Sequence, residues 1–375
     1  MRVAGVIACF VAFGAVEATA QTPAGVVICK KTSDGNLTLR NRRCRTGETK
    51  VSNISSLVGQ DGADGSLRIY GDGSSGPLAV SSSTSFTAGS VNQFTDCSVA
   101  AGVTLTVPSG ATIRCSGTFT NDGTITVSPS AYQSVQLGSI AAASGGIQAA
   151  LRAPSGPGLG MGRTAGSLGG YGTNGALIAG GPAGFGMSSS TAKNILKPGL
   201  FGGGSGGTGY GSFGSDGGGT LTILAAGAIT NNGTIAANGE DPVGNTGGGG
   251  GAGGIIILAS KTSVTNAAGA RIEVTGSDGA AASSSRGAGG GGGGGIVHLL
   301  APTITDAGTV DVSGGAAGAS GTVSAAYRSG GGGGGSCGGG GGAGDDVASG
   351  NSSSGAGAGT VGLSLTTQAD PTSLF

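Results

Sequence analysis

The sequence predicts an all-β fold, a parallel β-solenoid (β-helix) with glycine-rich lateral loops. A short unit recurs after each glycine block in the last third of the chain: an apolar strand, Ile-Thr or Val-Thr, a turn with Gly, and a second short strand. Units that cannot bury an apolar face alone must stack on one another. Composition points the same way, because 88 of the 375 residues are Gly and only 10% are charged. Ordinary domains carry about 7% Gly and about 25% charged residues.

The recurring units occupy 220–238, 255–275 and 296–312. The glycine-rich stretches between them are more variable in length than the units themselves. Near-constant units beside variable inserts indicate that all the inserts leave and return on one face of the solenoid. Alternation within the units predicts the inward-facing apolar residues Leu221, Ile223, Ile229, Ile235, Ile255, Ile257, Ile272, Val274, Val297, Leu299, Ile304, Val310 and Val312.

The glycine blocks themselves, at 247–254, 287–295 and 330–344, allow two interpretations. Glycine segments in an extended left-handed helix have no side chains to separate them, so neighbours could exchange backbone hydrogen bonds in a polyglycine-II-like bundle. Flexible loops are the alternative. The common position of the blocks, just before each apolar strand, favours the bundle, but the sequence does not decide between the two.

The chain begins with Arg2, an apolar run and Ala18-Thr19-Ala20. This pattern predicts a signal peptide at 1–20 and a secreted protein, extracellular or on a bacterial cell surface. The run is too short for a membrane span, and the mature chain has no other apolar stretch of that length, so no transmembrane segment is expected. Zero net charge gives no overall field for nucleic acid.

Residues 21–66 form a small module in which Cys29, an Asp34-Gly35 hairpin, Cys44 and Thr46-Gly47-Glu48-Thr49 follow in order. This order resembles the N-terminal module of secreted bacterial collagen-like surface proteins. Two Gly-X-Y triplets follow in 59–65, too few for the collagen trimer that the resemblance would otherwise imply. Seven basic residues lie between Gln21 and Lys50; a solvated face explains them, and binding to an acidic surface is the sharper hypothesis.

Three further segments follow. Residues 67–135 alternate apolar and polar residues over short runs and predict the first rungs of the solenoid, beginning near Val99. Residues 136–219 are a glycine-rich insertion, and residues 220–375 hold the repeats. Since a secreted chain favours disulfides, the nearest-neighbour pairing joins Cys29 with Cys44 and Cys97 with Cys115. Cys337 is left over, as a free thiol or a cross-link between chains.

Candidate catalytic chemistry is sparse. The only histidine, His298, lies in a strand pattern and is expected to be structural. Gly-x-Ser-x-Gly matches around Ser205 and Ser336 are expected by chance at this glycine content and lack the strand–helix context of a nucleophile elbow. No cofactor or metal site is predicted. Acidic residues in the loops (Glu240, Asp241, Asp278, Asp345 and Asp346) are out of register for a calcium repeat, and no two rungs are expected to place carboxylates at the same strand position.

The run Ala228–Gly239, AITNNGTIAANG, resembles the repeats of filamentous-haemagglutinin-like adhesins, and 301–315 resembles glycine-rich repeats of bacterial and phage surface fibres. The resemblance implies a right-handed parallel solenoid and an adhesive or structural function without catalysis. Expected partners are cell-surface or matrix components, including glycans, and copies of the chain itself.

Two alternatives stay open. One is a module that binds ice or a polymeric glycan; a single outward rank of threonines would favour it, the candidates being Thr220, Thr222, Thr230, Thr234, Thr265, Thr303, Thr305 and Thr309. The other is a β-helix enzyme acting on polysaccharide, which would need paired carboxylates brought together by the fold.

Overall fold

The structure is a computed structural model. It describes residues 26–31, 37–41, 43–50, 69–87, 92–128, 186, 188–196, 202–204, 206–207, 215–242, 247–283, 287–321, 333, 338–345 and 355–375. The chain divides into two compact units, Met1–Asp64 and Gly65–Phe375. The predicted signal peptide, Ser205, Ser336, Cys337, Asp346 and most of the 136–219 insertion lie outside the described residues.

The first unit contains a three-stranded antiparallel sheet. Its strands are β1 (Val26–Lys31), β2 (Leu37–Asn41) and β3 (Glu48–Lys50), with β1 in the centre. Cys29 and Cys44 form the predicted disulfide, with Cα atoms 5.5 Å apart. Because the bond joins the central strand to the segment just before β3, it fixes that segment against the sheet.

The second unit is a parallel β-solenoid built from three six-stranded sheets. Sheet I contains β4 (Leu78–Val80), β7 (Cys97–Val99), β10 (Phe119–Asn121), β13 (Ile229–Asn231), β16 (Ser263–Asn266) and β19 (Thr303–Asp306). Sheet II contains β5 (Thr84–Ser85), β8 (Thr104–Val107), β11 (Thr124–Val127), β14 (Thr234–Ala236), β17 (Arg271–Glu273) and β20 (Thr309–Asp311). Sheet III contains β6 (Asn92–Phe94), β9 (Ala111–Cys115), β12 (Thr220–Ala225), β15 (Ile255–Ser260), β18 (Ile296–Leu300) and β21 (Leu363–Thr367).

One strand from each sheet makes one coil, so the chain winds through six coils. The first coil begins at Leu78, earlier than the start near Val99 that the sequence indicates. Its strands β4, β5 and β6 have three, two and three residues. Strands this short show no alternating pattern in the sequence, and only pairing with β7, β8 and β9 reveals them.

The lumen of the solenoid is filled by columns of apolar side chains stacked from coil to coil. In sheet II the column runs Leu105, Ile125, Ile235, Ile272 and Val310, in register. The first four are fully buried, and the last is half-buried at the final coil. Each side chain is therefore removed from water by its neighbours above and below, which explains why no single coil is stable alone.

A ladder of buried amides lines the corner between sheets I and II. The Nδ2 of Asn121 donates to the Oδ1 of Asn231 at 2.8 Å, and that of Asn231 donates to Asn266 at 2.9 Å. Asn266 in turn donates to the carboxylate of Asp306 at 2.9 Å. Because every buried polar group costs free energy unless it is paired, the ladder depends on the same register that aligns the apolar columns.

Most of the predicted inward positions are confirmed, but Ile255 and Ile257 are a correction. Their neighbours Ile256 and Leu258 are in register with Leu221 and Ile223, respectively, and face the lumen, while Ile255 and Ile257 lie on the outer face of sheet III. A one-residue slip exchanges the two faces of a strand, and the unbroken apolar run 255–258 gives no alternation to prevent it.

The outer face of sheet III is covered rather than exposed. Three pieces of chain pack on it: Ile69 and Tyr70, the segment around the short helix α1 (Ser189–Ala192), and the C-terminal Phe375. Tyr70 Oη lies 3.3 Å from the hydroxyl of Thr372, in the short 3₁₀ helix Pro371–Ser373. Both faces of sheet III are therefore buried at β12, β15 and β18, as in sheets that carry helices.

The second predicted disulfide, Cys97–Cys115, is also present, with Cα atoms 6.1 Å apart. Both cysteines are buried, one on β7 and the other on β9. Since these strands begin and end the same coil, the bond closes that coil on itself. It crosses from sheet I to sheet III, where no backbone pairing joins the two.

Every long glycine-rich insertion leaves from sheet II and returns to sheet III. The insertions are 128–219, 237–254, 274–295 and 312–362, and each joins the sheet II strand of one coil to the sheet III strand of the same coil. The prediction that all of them leave and return on one face is confirmed. We call their packed parts the glycine bundle; it comprises the described residues of 202–207, 215–219, 237–242, 247–254, 274–283, 287–295, 312–321, 338–345 and 355–362.

Segment 287–295 is hydrogen-bonded to five other segments of the glycine bundle. Its amides donate to 274–283 from residues 289, 292 and 295, and to 355–362 from residues 291 and 294. Its carbonyls accept from 247–254, 312–321 and 338–345, again at positions three apart. A repeat of three residues per turn is that of the polyproline II helix, so the hydrogen-bond pattern matches the polyglycine-II-like interpretation.

The glycines of this segment have no room for a side chain. A Cβ at Gly292 would lie 2.0 Å from the carbonyl oxygen of Gly251, and one at Gly294 would lie 1.8 Å from that of Val312. From 289 to 295 the obstructing neighbour rotates among 247–254, 338–345 and 312–321, and then repeats. The backbones therefore pack directly against each other, and ordered packing is supported over flexible loops within the described residues.

Candidate functional site

A rank of hydroxyl side chains runs along the outer face of sheet I. Ser98, Thr120, Thr230, Thr265 and Thr305 occupy the same register position in five consecutive coils. Their strand neighbours on either side point into the lumen, so these side chains point outward. Ser98 and Thr305 are exposed and the other three half-buried. We call this set the hydroxyl rank. Adjacent members are one strand spacing apart, about 4.8 Å.

Sheet II presents a second, less regular outward set. Thr104, Thr124 and Thr234 share one register position with Thr309, but Arg271 interrupts the series between the last two. Arg271 forms an ion pair with Glu273, and the carboxylate raises the pKa of the guanidinium. A charged pair therefore breaks the hydroxyl surface of sheet II, whereas the hydroxyl rank of sheet I contains no charge.

The eight threonines singled out in the sequence do not form a single rank. Thr230, Thr265 and Thr305 belong to the hydroxyl rank, and Thr234 and Thr309 face outward on sheet II. Thr303 lies at a different position of sheet I, in register with Ser263. Thr220 and Thr222 are buried on the covered face of sheet III.

Sequence reasoning missed Ser98 and Thr120 as members of the hydroxyl rank. A signal was present, because Thr-Asn or Thr-Asp recurs at 120–121, 230–231, 265–266 and 305–306. The first residue of each pair joins the hydroxyl rank and the second joins the amide ladder. The ladder and the lumen columns support the hydroxyl rank from behind, so its spacing is set by rigid elements rather than by loops.

His298 is buried on the covered face of sheet III, in register with Ile257 and Leu365. Its Nε2 lies 2.9 Å from the hydroxyl of Thr367, while Nδ1 has no hydrogen-bond partner. Burial, with a smaller contribution from the charge of Lys193 on the segment that follows α1, lowers the pKa of His298 to about 4. The side chain is therefore neutral at physiological pH, as the structural role inferred from the sequence requires.

The acidic residues of the glycine bundle are dispersed, with one close pair. Burial raises the pKa of Asp216, and burial together with the charge of Asp216 raises the pKa of Glu240. Asp345 is fully buried and accepts backbone N–H bonds from Gly355 at 2.9 Å and Ala288 at 3.4 Å. Exposed Asp278 accepts a bond from the backbone of Ala316. Asp345 and Asp278 therefore accept hydrogen bonds from backbone amides of neighbouring glycine segments.

Sheet II contains a carboxylate pair that the sequence did not predict. Glu273 and Asp311 share a register position on sheet II, although no two rungs were expected to do so. The two carboxylates are not arranged as a catalytic acid–base pair. Glu273 is ion-paired with Arg271, and Asp311 accepts a hydrogen bond of 3.0 Å from the backbone N–H of Ser313. The strand register, invisible before the coils are aligned, produces the match.

An open depression lies in the first unit. It has a volume of about 620 Å³ and is lined by Arg40, Arg43, Cys44, Arg45 and Thr46. The described residues also contain one group of three potential metal-binding side chains, Cys29, Cys44 and Glu48. Its two sulfur atoms are bonded to each other, so neither is a thiolate ligand.

No protein-family model matches the chain, and neither a curated protein nor a solved structure matches it. Among the described residues, no helix combines the length and apolar character needed to cross a bilayer. Three features of the molecule are therefore the candidates for a function: the hydroxyl rank, the packed glycine bundle and the arginine-lined depression.

Proposed function

We propose that the chain is a secreted, non-catalytic adhesive protein that binds repetitive polymers of a cell surface or extracellular matrix. The single observation that carries the proposal is the hydroxyl rank, five uncharged hydroxyl positions in register on the outer face of sheet I. A surface that repeats once per coil is suited to a ligand that also repeats, since several weak contacts then act together.

The structural part of the proposal rests on how the solenoid is reinforced. The lumen columns, the amide ladder and the Cys97–Cys115 bond hold the coils in register. The glycine bundle adds backbone hydrogen bonds between insertions of neighbouring coils. An adhesive protein that bears tension benefits from such cross-links, because no coil can separate without breaking several of them at once.

The experiment compares two triple variants that each remove three hydroxyls while keeping β-branched side chains. Thr120→Val/Thr230→Val/Thr265→Val alters the hydroxyl rank, and Thr104→Val/Thr124→Val/Thr309→Val alters sheet II to the same extent. Retention is measured on fixed bacterial cells and on insoluble cellulose and chitin. We expect the sheet I variant to lose about tenfold or more of the retention, because avidity multiplies the loss of each contact.

The sheet II variant should be retained like the unaltered protein. Equal retention of both variants, or no retention of the unaltered protein on any of these materials, would contradict the proposal. The non-catalytic part is tested separately by screening soluble polysaccharides for cleavage, with Asp216→Asn/Glu240→Gln as control. If the unaltered protein cleaves a polysaccharide and the double variant does not, the proposed function would be hydrolysis and not adhesion, since glycoside hydrolysis requires two carboxylates.

Ice binding is the second candidate, and the uncharged, evenly spaced hydroxyl rank favours it as well. A flat array of small hydroxyl side chains could hold ordered water at regular intervals. Inhibition of ice recrystallisation by the unaltered protein, lost in Thr230→Lys and kept in Thr234→Lys, would support this candidate. Retention on glycans without any effect on ice would favour adhesion.

A further inference from the structure

The first unit carries a basic surface that the proposed function does not use. Residues 1–64 contain eight basic and five acidic residues, a net charge of +3, whereas residues 65–375 contain ten basic and thirteen acidic residues, a net charge of −3. The zero net charge of the chain therefore hides two oppositely charged units. Positive charge concentrated on a small unit attracts polyanions.

The basic side chains of the first unit are partly organised by an ion pair. Arg40 Nε donates to Glu48 Oε2 at 3.1 Å, and Nη2 of the same guanidinium contacts the other carboxylate oxygen. The guanidinium of Arg40, followed by the backbone N–H of Arg45, lowers the pKa of Glu48 to about 2. Glu48 is therefore ionised and engaged by Arg40, and the side chains of Arg43 and Arg45 stay exposed.

Arg43 and Arg45 line the open depression of about 620 Å³ together with Arg40, Cys44 and Thr46. Three of the five described residues that line it are arginines, and none of these five is acidic. The planar guanidinium fork binds carboxylate, sulfate and phosphate groups through two parallel hydrogen bonds. The Cys29–Cys44 bond anchors the segment to the central strand, which lowers the entropy lost when a ligand orders it.

We infer that this depression is a binding site for acidic polysaccharide, with Arg43 and Arg45 as the residues that contact its anionic groups. The lining residues favour this class over other polyanions. None of the five described lining residues is aromatic, and single-stranded nucleic acid binding depends on base stacking. None of these five is a large apolar residue of the kind that peripheral helices insert into membranes. A hydrophilic, flexible polyanion needs neither feature.

The test uses the full mature chain with both disulfides intact. Binding to polygalacturonate and to dextran sulfate is measured by calorimetry, with neutral dextran as the uncharged control polymer. The variant Arg43→Gln/Arg45→Gln removes two exposed charges at the depression. The matched control Lys193→Gln/Lys261→Gln removes two exposed charges from the second unit. Melting temperatures of both variants establish that the units remain folded.

We expect both anionic polymers to bind the unaltered protein, and Arg43→Gln/Arg45→Gln to lose about tenfold or more in affinity, with a weaker dependence on salt concentration. Lys193→Gln/Lys261→Gln should bind as the unaltered protein does. Equal losses in both variants, or no binding of either polymer, would overturn the inference. So would tighter binding to anionic phospholipid vesicles or to single-stranded DNA than to the polysaccharides. Since the hydroxyl rank lies on the other unit, this result is independent of the adhesion test.

Discussion

The solenoid and the glycine bundle solve the same packing problem with opposite materials. In the solenoid, side chains such as Ile125 and Ile235 fill the space between backbones, and register aligns them. In the glycine bundle the backbones themselves are in contact, and a Cβ at Gly292 would overlap a neighbouring carbonyl. Glycine loses more backbone entropy on folding than any other residue. Dense backbone hydrogen bonding, fixed by an existing scaffold, can therefore order a segment of chain that has no hydrophobic core.

The largest expected effect comes from adding one methyl group to the centre of the glycine bundle. Gly292→Ala places a Cβ where the backbone of Gly251 stands, 2.0 Å from its carbonyl oxygen. Because backbone packed on all sides cannot shift cheaply, we expect a loss of more than about 4 kcal/mol in the free energy of unfolding. Chemical denaturation measures the loss, and hydrogen exchange should show deprotected amides in 287–295.

Gly102→Ala is the matched control for that substitution. Gly102 has a positive φ of 73° but open space around its Cβ position. Gly102→Ala should lose only about 1–2 kcal/mol in the free energy of unfolding, because alanine is strained in the left-handed conformation. Similar losses in the two variants would mean that conformational strain, not close backbone packing, explains the need for glycine.

A matched pair of buried charges tests the side-chain-packed region next. Ile256 faces the lumen and Ile257 faces the covering segments of sheet III. Ile256→Asp should unfold the solenoid, because an unpaired carboxylate in the lumen costs several kcal/mol. Ile257→Asp should release the covering segments and leave the coils folded. Circular dichroism measures the coils, and limited proteolysis near α1 measures the cover.

Reversal of those two outcomes would mean that the register of β15 is shifted by one residue. Loss of the coils in both variants would mean instead that the solenoid depends on its cover. Either result would change which residues belong to the side-chain-packed core of the solenoid.

The covered face should also respond to acid. Because the pKa of His298 falls from 6.5 to about 4 on folding, the unfolded chain binds the extra proton between these values. Stability contributed by neutral His298 is complete above about pH 6.5 and decreases as the pH falls toward 4, by about 3 kcal/mol at most. His298→Gln should remove this component. Urea denaturation at pH 7 and pH 4 measures the free energy of unfolding of both proteins. The contributions of the carboxylates are the same in both, so they cancel when the two pH dependences are subtracted. An identical pH dependence of the free energy of unfolding in the two proteins would contradict this role of His298.

The smallest effect is expected in the amide ladder. Asn231→Ala removes the acceptor of Asn121 and the donor to Asn266. Leaving buried amide groups unpaired should cost about 2–3 kcal/mol. Asn232→Ala, at an exposed turn position, is the control and should cost about 0.5 kcal/mol or less. Thermal unfolding compares the two, and equal midpoints would mean that the ladder adds no stability.

How much of the fold can be predicted from the sequence depends on the length of the alternating apolar and polar pattern in each segment. Units with clear alternation, such as Leu221 to Ile235, give the solenoid, its inward residues and the position of the insertions. The apolar run 255–258 does not reveal its register, because the segments that bury its outer face come from distant parts of the chain, including Tyr70 and Phe375. The disulfide pairs follow from spacing. The hydroxyl rank was missed in part because its members become neighbours only when coils separated by long insertions are aligned.

The threefold geometry of segment 287–295 has a consequence for how such a sequence can change. Each added residue turns the following amides by about one third of a turn, since the helix has three residues per turn. Inserting one glycine would direct every later N–H at the wrong neighbour, whereas inserting three would restore the pattern. The glycine segments, although nearly uniform in composition, therefore have the equivalent of a reading frame. Variants that keep the fold should differ in the length of these segments by multiples of three residues.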